Sequence, residues 1–261
     1  MMPTHYRLYL LLGALLFSGC ALLPDRLPPP VPEAERISQP ARQILDEISR
    51  RNAGLNTYKG IGTLALRHQG QSQQARLAWL ADVPEKIRLE VLMPSGQPFL
   101  SLSTDGRHVY VLEHGGKKRF LKRSAEQITL EAFIHVPIPP ETIITILAGR
   151  IPLIDYYTAS LASAAGQPDR LILTDRKKER TEIIHLDPET GTPFRLEFLE
   201  NDARPLFFVE RRGSRRVDGY EIPETITFTA AGGTSAVITV DRYWANTEVA
   251  PEKFILTDPS G

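Results

Sequence analysis

Apolar and polar residues alternate along most of the chain from Tyr58 onward. In Lys86–Met93, for example, every second residue starting from Ile87 is apolar, and the residues between them are mostly charged. A period of two is typical of β-strands with one buried face and one solvated face. The pattern, with Gly, Pro and Asp turns between the segments, predicts about twelve strands. The predicted strands are Tyr58–Arg67, Gln73–Asp82, Lys86–Met93, Phe99–Thr104, Arg107–Glu113, Lys118–Arg123, Leu171–Asp175, Thr181–Asp187, Pro193–Glu200, Pro205–Arg211, Tyr220–Thr229 and Ala236–Trp244.

Two regions have a period near 3.6 instead, which predicts helices. The first begins after Ser38, a residue type that caps helix N-termini, and ends near Asn52–Gly54. The second region lies between the two groups of strands. There Ser124 and Gln127 fit a capping box, and a further short helix is predicted from about Glu141 to Ala148.

The order of these elements predicts a mainly β fold with helices (α+β). Strands do not alternate with helices, so a parallel sheet is not expected. The stretch Leu153–Gln167 is ambiguous. We expect one large curved antiparallel sheet, or half-open β-barrel, over residues 40–261, covered by an N-terminal helix and an inserted helix pair.

The N-terminus has the pattern of an export signal. Arg7 precedes the apolar run Leu8–Phe17, and the small residues Ser18 and Gly19 precede Cys20. The run is too short to cross a bilayer as a helix. It resembles a bacterial lipoprotein signal, in which residues 1–19 are removed and Cys20 is lipidated. The alternative is an ordinary secretory peptide with an incidental cysteine.

The residues after the signal predict an anchored protein. Residues 20–39 are rich in proline and read as a semi-rigid tether behind the lipidated cysteine. In proteobacteria an Asp after the cysteine commonly retains a lipoprotein on the inner membrane, and here that residue is Ala21. We therefore expect a lipid anchor on the periplasmic face of the outer membrane.

Composition excludes some partners. The chain has 31 Lys and Arg against 31 Asp and Glu, so no global field attracts nucleic acid. Cys20 is the single cysteine, so an internal disulfide is not possible. The mature part, about 240 residues, is long enough for one domain with a large apolar core.

Candidate chemistry is sparse. The histidines show no zinc-ligand spacing, and neither a Gly-x-Ser-x-Gly elbow nor a P-loop occurs. We expect no catalytic residue, metal or cofactor. The basic clusters Arg176–Arg180 and Arg211–Arg216 are interpreted as solvated hairpin ends, or else as contacts to anionic lipid head groups.

A sheet of this size has one apolar face to cover, and few helices to cover it. The space between them is predicted to be a ligand cavity, as in larger barrels, or else plain core. Candidate lining residues are Leu64, Leu66, Leu77, Trp79, Leu89, Val91, Phe194, Leu196, Phe198, Ile226 and Phe228.

Several segments resemble the bacterial lipoprotein-localisation factors of the LolA/LolB group, above all LolB. The turn Met93–Gly96, the later Asp105-Gly106 and the helix end Ile146–Arg150 occur in the order found in that family. Glu221–Ile226 and Asn246–Phe254 are similar to the wider group. The resemblance covers about Gln43 to Leu256.

The resemblance implies a half-open β-barrel closed by helices, with a cavity for lipoprotein acyl chains. It implies that Ile143, Ile146 and Leu147 are lid residues. It also implies that the turn around Pro94, Ser95 and Gly96 faces the membrane, with Met93 and Phe99 as the apolar residues beside it. Ser95 stands where LolB has a protruding leucine, and the usual tryptophan of the lid segment is absent.

Two functions follow from these expectations. The first is a membrane-anchored acceptor that takes lipoproteins, by their acyl chains, from a periplasmic LolA-like carrier and releases them into the outer membrane. The second is an envelope sensor with the same fold that binds a periplasmic protein without lipoprotein transfer. An enzyme is not expected, since no catalytic constellation is present.

Overall fold

The computed structural model describes residues 36–115, 119–125, 129–200 and 203–259. The predicted signal peptide, Cys20 and the tether up to residue 35 lie outside the described residues, as do Gln127 and Lys118. Within the described part, the helices are α1 (Gln39–Arg50), α2 (Glu131–Ile134) and α3 (Pro140–Leu147), and a 3₁₀ turn covers Pro251–Phe254. None of these helices is long and apolar enough to cross a bilayer.

The described residues form thirteen strands in one antiparallel sheet. The strands are β1 (Thr57–His68), β2 (Gln71–Asp82), β3 (Lys86–Leu92), β4 (Pro98–Asp105), β5 (His108–Glu113), β6 (Arg119–Ser124), β7 (Thr158–Ala162), β8 (Arg170–Thr174), β9 (Arg180–Leu186), β10 (Pro193–Glu200), β11 (Arg204–Val217), β12 (Tyr220–Ala230) and β13 (Ser235–Ala245). Their order is β6-β5-β4-β3-β2-β1-β13-β12-β11-β10-β9-β8-β7. The predicted fold class, a large curved antiparallel sheet that does not close, is confirmed.

The chain crosses from one sheet edge to the other only once. After β6, at one edge, it runs through α2 and α3 and enters β7, at the opposite edge. Both inserted helices therefore lie across one face of the sheet, which we call the inner face. This face carries most of the buried apolar side chains.

α1 begins and packs as its sequence predicts. The Ser38 hydroxyl accepts a hydrogen bond from the Ala41 amide at 3.4 Å, and Pro40 lies in the first turn, where its missing N–H is not needed. Leu45 and Ile48 are buried against the sheet. The polar side of the helix faces solvent, so the apolar stripe determines which side packs.

α3 lies over the middle of the sheet, where β1 meets β13. The Tyr58 hydroxyl donates to the Ile144 carbonyl at 2.7 Å, and the Tyr243 hydroxyl donates to the Leu147 carbonyl at 3.0 Å. Burial raises the pKa of both phenols, so both remain protonated donors. These bonds hold α3 to the sheet at two positions, one turn apart.

Polar side chains join the end of α3 to α1 and β12. Arg150 donates to the carbonyls of Asn52, Ala53 and Leu55 at 2.7 to 3.0 Å. The Asn52 amide donates to the carbonyls of Ala148 and Glu221. Since these bonds satisfy carbonyls at the ends of both helices, they hold α1 and α3 in a fixed relation.

Two expectations about elements need correction. β7 lies inside the ambiguous stretch Leu153–Gln167 and was not predicted as a strand. Arg211–Arg216 is not a hairpin end, because β11 continues to Val217. Ser124 ends β6, and the predicted capping box with Gln127 falls on residues outside the described part.

Because β11 continues to Val217, Arg211 lies within a strand and not in a turn. Its side chain lies on the inner face, with Nη2 3.4 Å from the Gly149 carbonyl. Burial, and then the charge of Arg51, lower its pKa to about 10. The residue therefore stays charged at neutral pH and is largely shielded from solvent.

Candidate functional site

A cavity of about 320 Å³ lies between the inner face and the inserted helices. Its walls come from the strands β1 to β4, β12 and β13, and its cover comes from α2 and α3. We call it the first cavity. Its lining residues are Leu64, Leu66, Gln73, Gln74, Ala75, Leu77, Leu89, Val91, Phe99, Leu100, Leu102, Leu130, Ile134, Ile143, Phe228, Ala236 and Ile238.

The strand register explains why the walls are apolar. Leu64 lies opposite Ala75 on β2 and Ile238 on β13. Two residues further along β2, Leu77 lies opposite Val91. Because side chains of directly opposed residues share a face, each apolar alternation adds to the same wall. Among the described lining residues, Gln73 and Gln74 alone are polar, and both are exposed at the mouth.

α2 forms the outer part of the cover. Leu130 and Ile134 line the first cavity, and the Leu130 amide donates to the Ile138 carbonyl at 2.9 Å. At the C-terminus of α2, the His135 ring stacks on His68 of β1 with centroids 4.3 Å apart. Among the described side chains, the His135 ring joins this single turn to the sheet, whereas two buried hydrogen bonds join α3 to the sheet.

Phe99 connects the first cavity with solvent. It lines the cavity, yet 51% of its surface is exposed. Its ring lies against Gly115, where a side chain would crowd it. The mouth of the first cavity thus has an apolar aromatic rim.

The turn before Phe99 is also exposed. The Met93 amide donates to the Gln97 carbonyl and the Gly96 amide donates to the Met93 carbonyl, both at 2.8 Å. Gly96 has φ +85°, which glycine adopts without strain. Met93, Pro94, Ser95 and Gly96 are exposed. Met93 was predicted to end a strand, but β3 stops at Leu92, and Met93 belongs to the turn.

The structure brings many of the predicted cavity residues together around the first cavity. These are Leu64, Leu66, Leu77, Leu89, Val91, Ile143 and Phe228. Others are buried in the core and do not line that cavity, namely Ile146, Leu147, Leu196 and Ile226.

Trp79 also lies apart from the first cavity. Its indole lies over Gly60 and Gly62 of β1, where an added Cβ would collide with the ring. Its Nε1 is buried without a hydrogen-bond partner in the described part of the chain. The two glycines leave a space that the indole fills, so Trp79 is a packing residue.

A bulge separates Phe194 from its expected neighbours. The register of β10 shifts between Pro193 and Arg195, which breaks the alternation. The Phe194 ring lies edge-on to His185, with centroids 6.1 Å apart. The expectation that Phe194 shares a wall with Leu196 therefore fails.

Phe198 lines a second cavity, of about 730 Å³, on the other side of α3. Sequence analysis did not predict this cavity. It is bounded by α1, the segment 150–155 and the strands β9 to β11. That segment belongs to the stretch that was ambiguous in the sequence, and its residues show no alternation that would indicate their neighbours.

A carboxyl group is buried beside the second cavity. Glu182 of β9 is fully buried, and its Oε2 accepts from the Ile154 amide at 3.0 Å. Its Oε1 has no partner among the described residues. Burial raises the pKa of Glu182 to about 8, against the opposing effect of the Ile154 bond, so the group is mostly protonated at pH 7.

Residues 36–115, 119–125, 129–200 and 203–259 contain no group of three or more His, Cys, Asp or Glu side chains placed to hold a metal ion. The two cavities are thus the main candidate sites in the part of the chain that the structure describes.

The fold is similar to that of known crystal structures, although no protein-family model and no curated protein sequence matches the chain. One structure is described as an outer membrane lipoprotein-sorting protein domain from Vibrio parahaemolyticus. It has 14% identity and a TM-score of 0.60 over 82% of this chain and 96% of that one. A LolA superfamily protein from Nitrosomonas europaea has 16% identity and a TM-score of 0.58 over 83% and 97%.

A DUF1329 family protein from Desulfovibrio piger has 12% identity and a TM-score of 0.62 over 84% of this chain and 98% of that one. At such identities the likeness establishes the fold. The resemblance predicted from the turns and the lid segment is therefore confirmed at that level. The chain shares the fold of these proteins, one of which is described as a LolA superfamily protein.

Proposed function

We propose that this protein binds the acyl chains of other lipoproteins in the first cavity and helps to localise those lipoproteins to the outer membrane. In this proposal, lipidated Cys20 anchors it on the periplasmic face. It receives its cargo from a periplasmic LolA-like carrier. No covalent step is involved.

The observation that carries the proposal is the apolar lining of a covered cavity. Apart from two glutamines at the mouth, every lining residue is apolar. Acyl chains bind such a surface because each buried methylene contributes about 0.8 kcal/mol. A polar ligand would lose its hydration there without new hydrogen bonds.

The size of the cavity indicates that the cover must move. A volume of about 320 Å³ lies at the low end of ligand pockets, which span roughly 300–1,000 Å³. A lipoprotein with three acyl chains therefore needs more space than the structure shows. α2 is the part expected to move outward, because α3 is bound to Tyr58 and Tyr243.

The rim suits delivery into a bilayer. Phe99 and Met93 are exposed apolar side chains beside the mouth. Insertion of these residues among lipid tails would place the mouth next to the membrane, so that a released chain crosses little water. Ser95 at the tip has no such role, and Phe99 takes the place of the leucine found in LolB.

The test is a titration of the chain that begins at Ala21. The ligand is a triacylated lipopeptide with fluorescein on its peptide, and the readout is fluorescence polarisation. The same peptide without acyl chains is the control. We expect saturable binding near one to one that requires the acyl chains.

Two results would contradict the proposal. One is absence of acyl-dependent binding by a folded protein, and the sensor function would then be favoured. The other is normal lipoprotein localisation in cells depleted of this protein.

A further inference from the structure

The second cavity differs from the first in what lines it. Its floor contains Phe198 and Phe207, whose rings stack with centroids 4.5 Å apart. Its walls contain the hydroxyl-bearing side chains of Thr142, Thr145 and Thr181. A ligand in this cavity would therefore contact both aromatic rings and hydroxyl groups.

α3 is the partition between the two cavities. Ile143 faces the first cavity, whereas Thr142 and Thr145 line the second. Because α3 is fixed to the sheet by Tyr58 and Tyr243, the two spaces remain separate. A ligand can therefore bind in one cavity while the other cavity is empty.

The segment 151–156 offers backbone groups for hydrogen bonding. It belongs to no helix and lies outside the sheet ladders. Its Ile154 amide bonds to Glu182, but the amides of Leu153 and Asp155 bond to no other described residue. An extended peptide could satisfy these amides in the manner of an added strand. An acyl chain would cover them without partners, which is unfavourable.

The charges at the rim favour a cation. Arg150 donates to three carbonyls, and Arg180 lies 3.7 Å from Asp175. Arg180 is therefore paired with a carboxylate, whereas the Arg150 guanidinium is bound to neutral backbone carbonyls and keeps its charge. The carboxylates of Glu141 and Asp155, by contrast, have no ion pair or hydrogen bond among the described residues. Glu200 is paired with Arg204, so two carboxylates without an ion pair stand against the single charge of Arg150, and the rim is net negative.

We propose that the second cavity binds an extended peptide segment that carries a basic side chain next to an aromatic one. The aromatic side chain packs on Phe198 and Phe207, and the basic one lies between Glu141 and Asp155. The peptide backbone pairs with segment 151–156. This binding does not depend on acyl chains in the first cavity. In a bound lipoprotein, the polypeptide part would be the natural occupant.

The test uses the full chain in lipid nanodiscs and a fluorescein-labelled, C-terminally amidated peptide of sequence Gly-Ser-Lys-Phe-Ser-Gly. A second peptide has Glu in place of Lys. We expect saturable binding of the first peptide by fluorescence polarisation, and binding of the second that is at least tenfold weaker. Equal binding of both peptides, or no saturable binding, would overturn the proposal.

Substitutions test whether the peptide binds in the second cavity. Thr145→Trp should abolish peptide binding by filling the cavity, whereas Thr145→Ala should retain it. Asp155→Asn and Glu141→Gln should each weaken binding by about threefold. The matched changes at exposed acids elsewhere, Asp241→Asn and Glu248→Gln, should leave it unchanged. Peptide binding that survives Thr145→Trp would overturn the proposal.

The triacylated lipopeptide, measured on the same variants, separates this proposal from the proposed function. Thr145→Trp should leave acyl-dependent binding intact, and a change that fills the first cavity should leave peptide binding intact. Peptide binding without acyl binding would uphold this inference and refute the proposed function. If palmitate displaces the peptide from the second cavity, that cavity is a lipid site and the inference fails.

Discussion

Tyr58 and Tyr243 stack with ring centroids 5.4 Å apart, and each donates its hydroxyl hydrogen to a carbonyl of α3. The pair comes from two adjacent strands in the middle of the sheet, so it holds α3 where the two cavities meet. We therefore interpret α3 as a fixed wall and α2 as the movable part of the cover.

Removal of either hydroxyl tests the role of this pair. Tyr58→Phe and Tyr243→Phe should each lower the free energy of unfolding by about 1 kcal/mol, measured in urea, because a buried hydrogen bond is lost. Tyr156→Phe is the control, since the Tyr156 hydroxyl bonds to no described residue. Equal effects of all three changes would contradict the assignment.

Glu182 should make stability depend on pH. Its pKa is about 8 in the folded protein and near 4.5 in the unfolded chain, so the folded state retains a proton that the unfolded state releases. Stability should therefore fall as pH rises from about 4.5 to 8, by up to tenfold in the unfolding equilibrium constant per pH unit.

Glu182→Gln should remove this pH dependence, since the amide does not titrate. The variant's gain in the free energy of unfolding over the original chain should be larger at pH 8 than at pH 5. Glu189→Gln, a change at an exposed turn residue, is the control. An unchanged pH profile in Glu182→Gln would show that the carboxyl is not buried as described.

Gly149 is expected to resist substitution. It has φ +70°, and a Cβ there would collide with the Glu221 carbonyl and the Asn52 side chain. Gly149→Ala should lower the free energy of unfolding by about 3 kcal/mol. Gly191 has φ +68° but open space around it, so Gly191→Ala should cost only about 1 kcal/mol. Similar losses of unfolding free energy in Gly149→Ala and Gly191→Ala would contradict the close contact around Gly149.

Phe99 is expected to act in delivery. Phe99→Ser should slow the transfer of bound lipopeptide into liposomes by about tenfold, because an apolar side chain no longer enters the bilayer. Ile255→Ser is the control, since Ile255 is 49% exposed, much as Phe99 is. Transfer that is equally fast in both variants would exclude a delivery role for Phe99.

Local pattern predicted most of the sheet. Alternation in segments such as Lys86–Leu92 determines both that a strand forms and which face is buried, so the predicted strands match closely. The same alternation on β4 and β13 would have added Leu100, Leu102, Ala236 and Ile238 to the first cavity. Their place in the cavity depends on which strands lie side by side, and local alternation does not indicate that.

The remaining features depend on contacts between distant segments. Arg150 and Asn52 look like surface polar residues in the sequence, yet they join α1, α3 and β12. Trp79 fills the space left by glycines on a neighbouring strand. The bulge at Phe194 turns its ring away from the expected wall, and a bulge has no signal in local alternation.

The most direct test of the central claim compares two tryptophan substitutions on β2. Ala75 faces the first cavity, whereas Ala78, three residues later, lies on the opposite face, paired with Ile61 and Glu90. If acyl chains bind in the first cavity, Ala75→Trp should weaken binding of the triacylated lipopeptide by about tenfold or more, while Ala78→Trp leaves it unchanged. Equal binding by both folded variants would contradict the account.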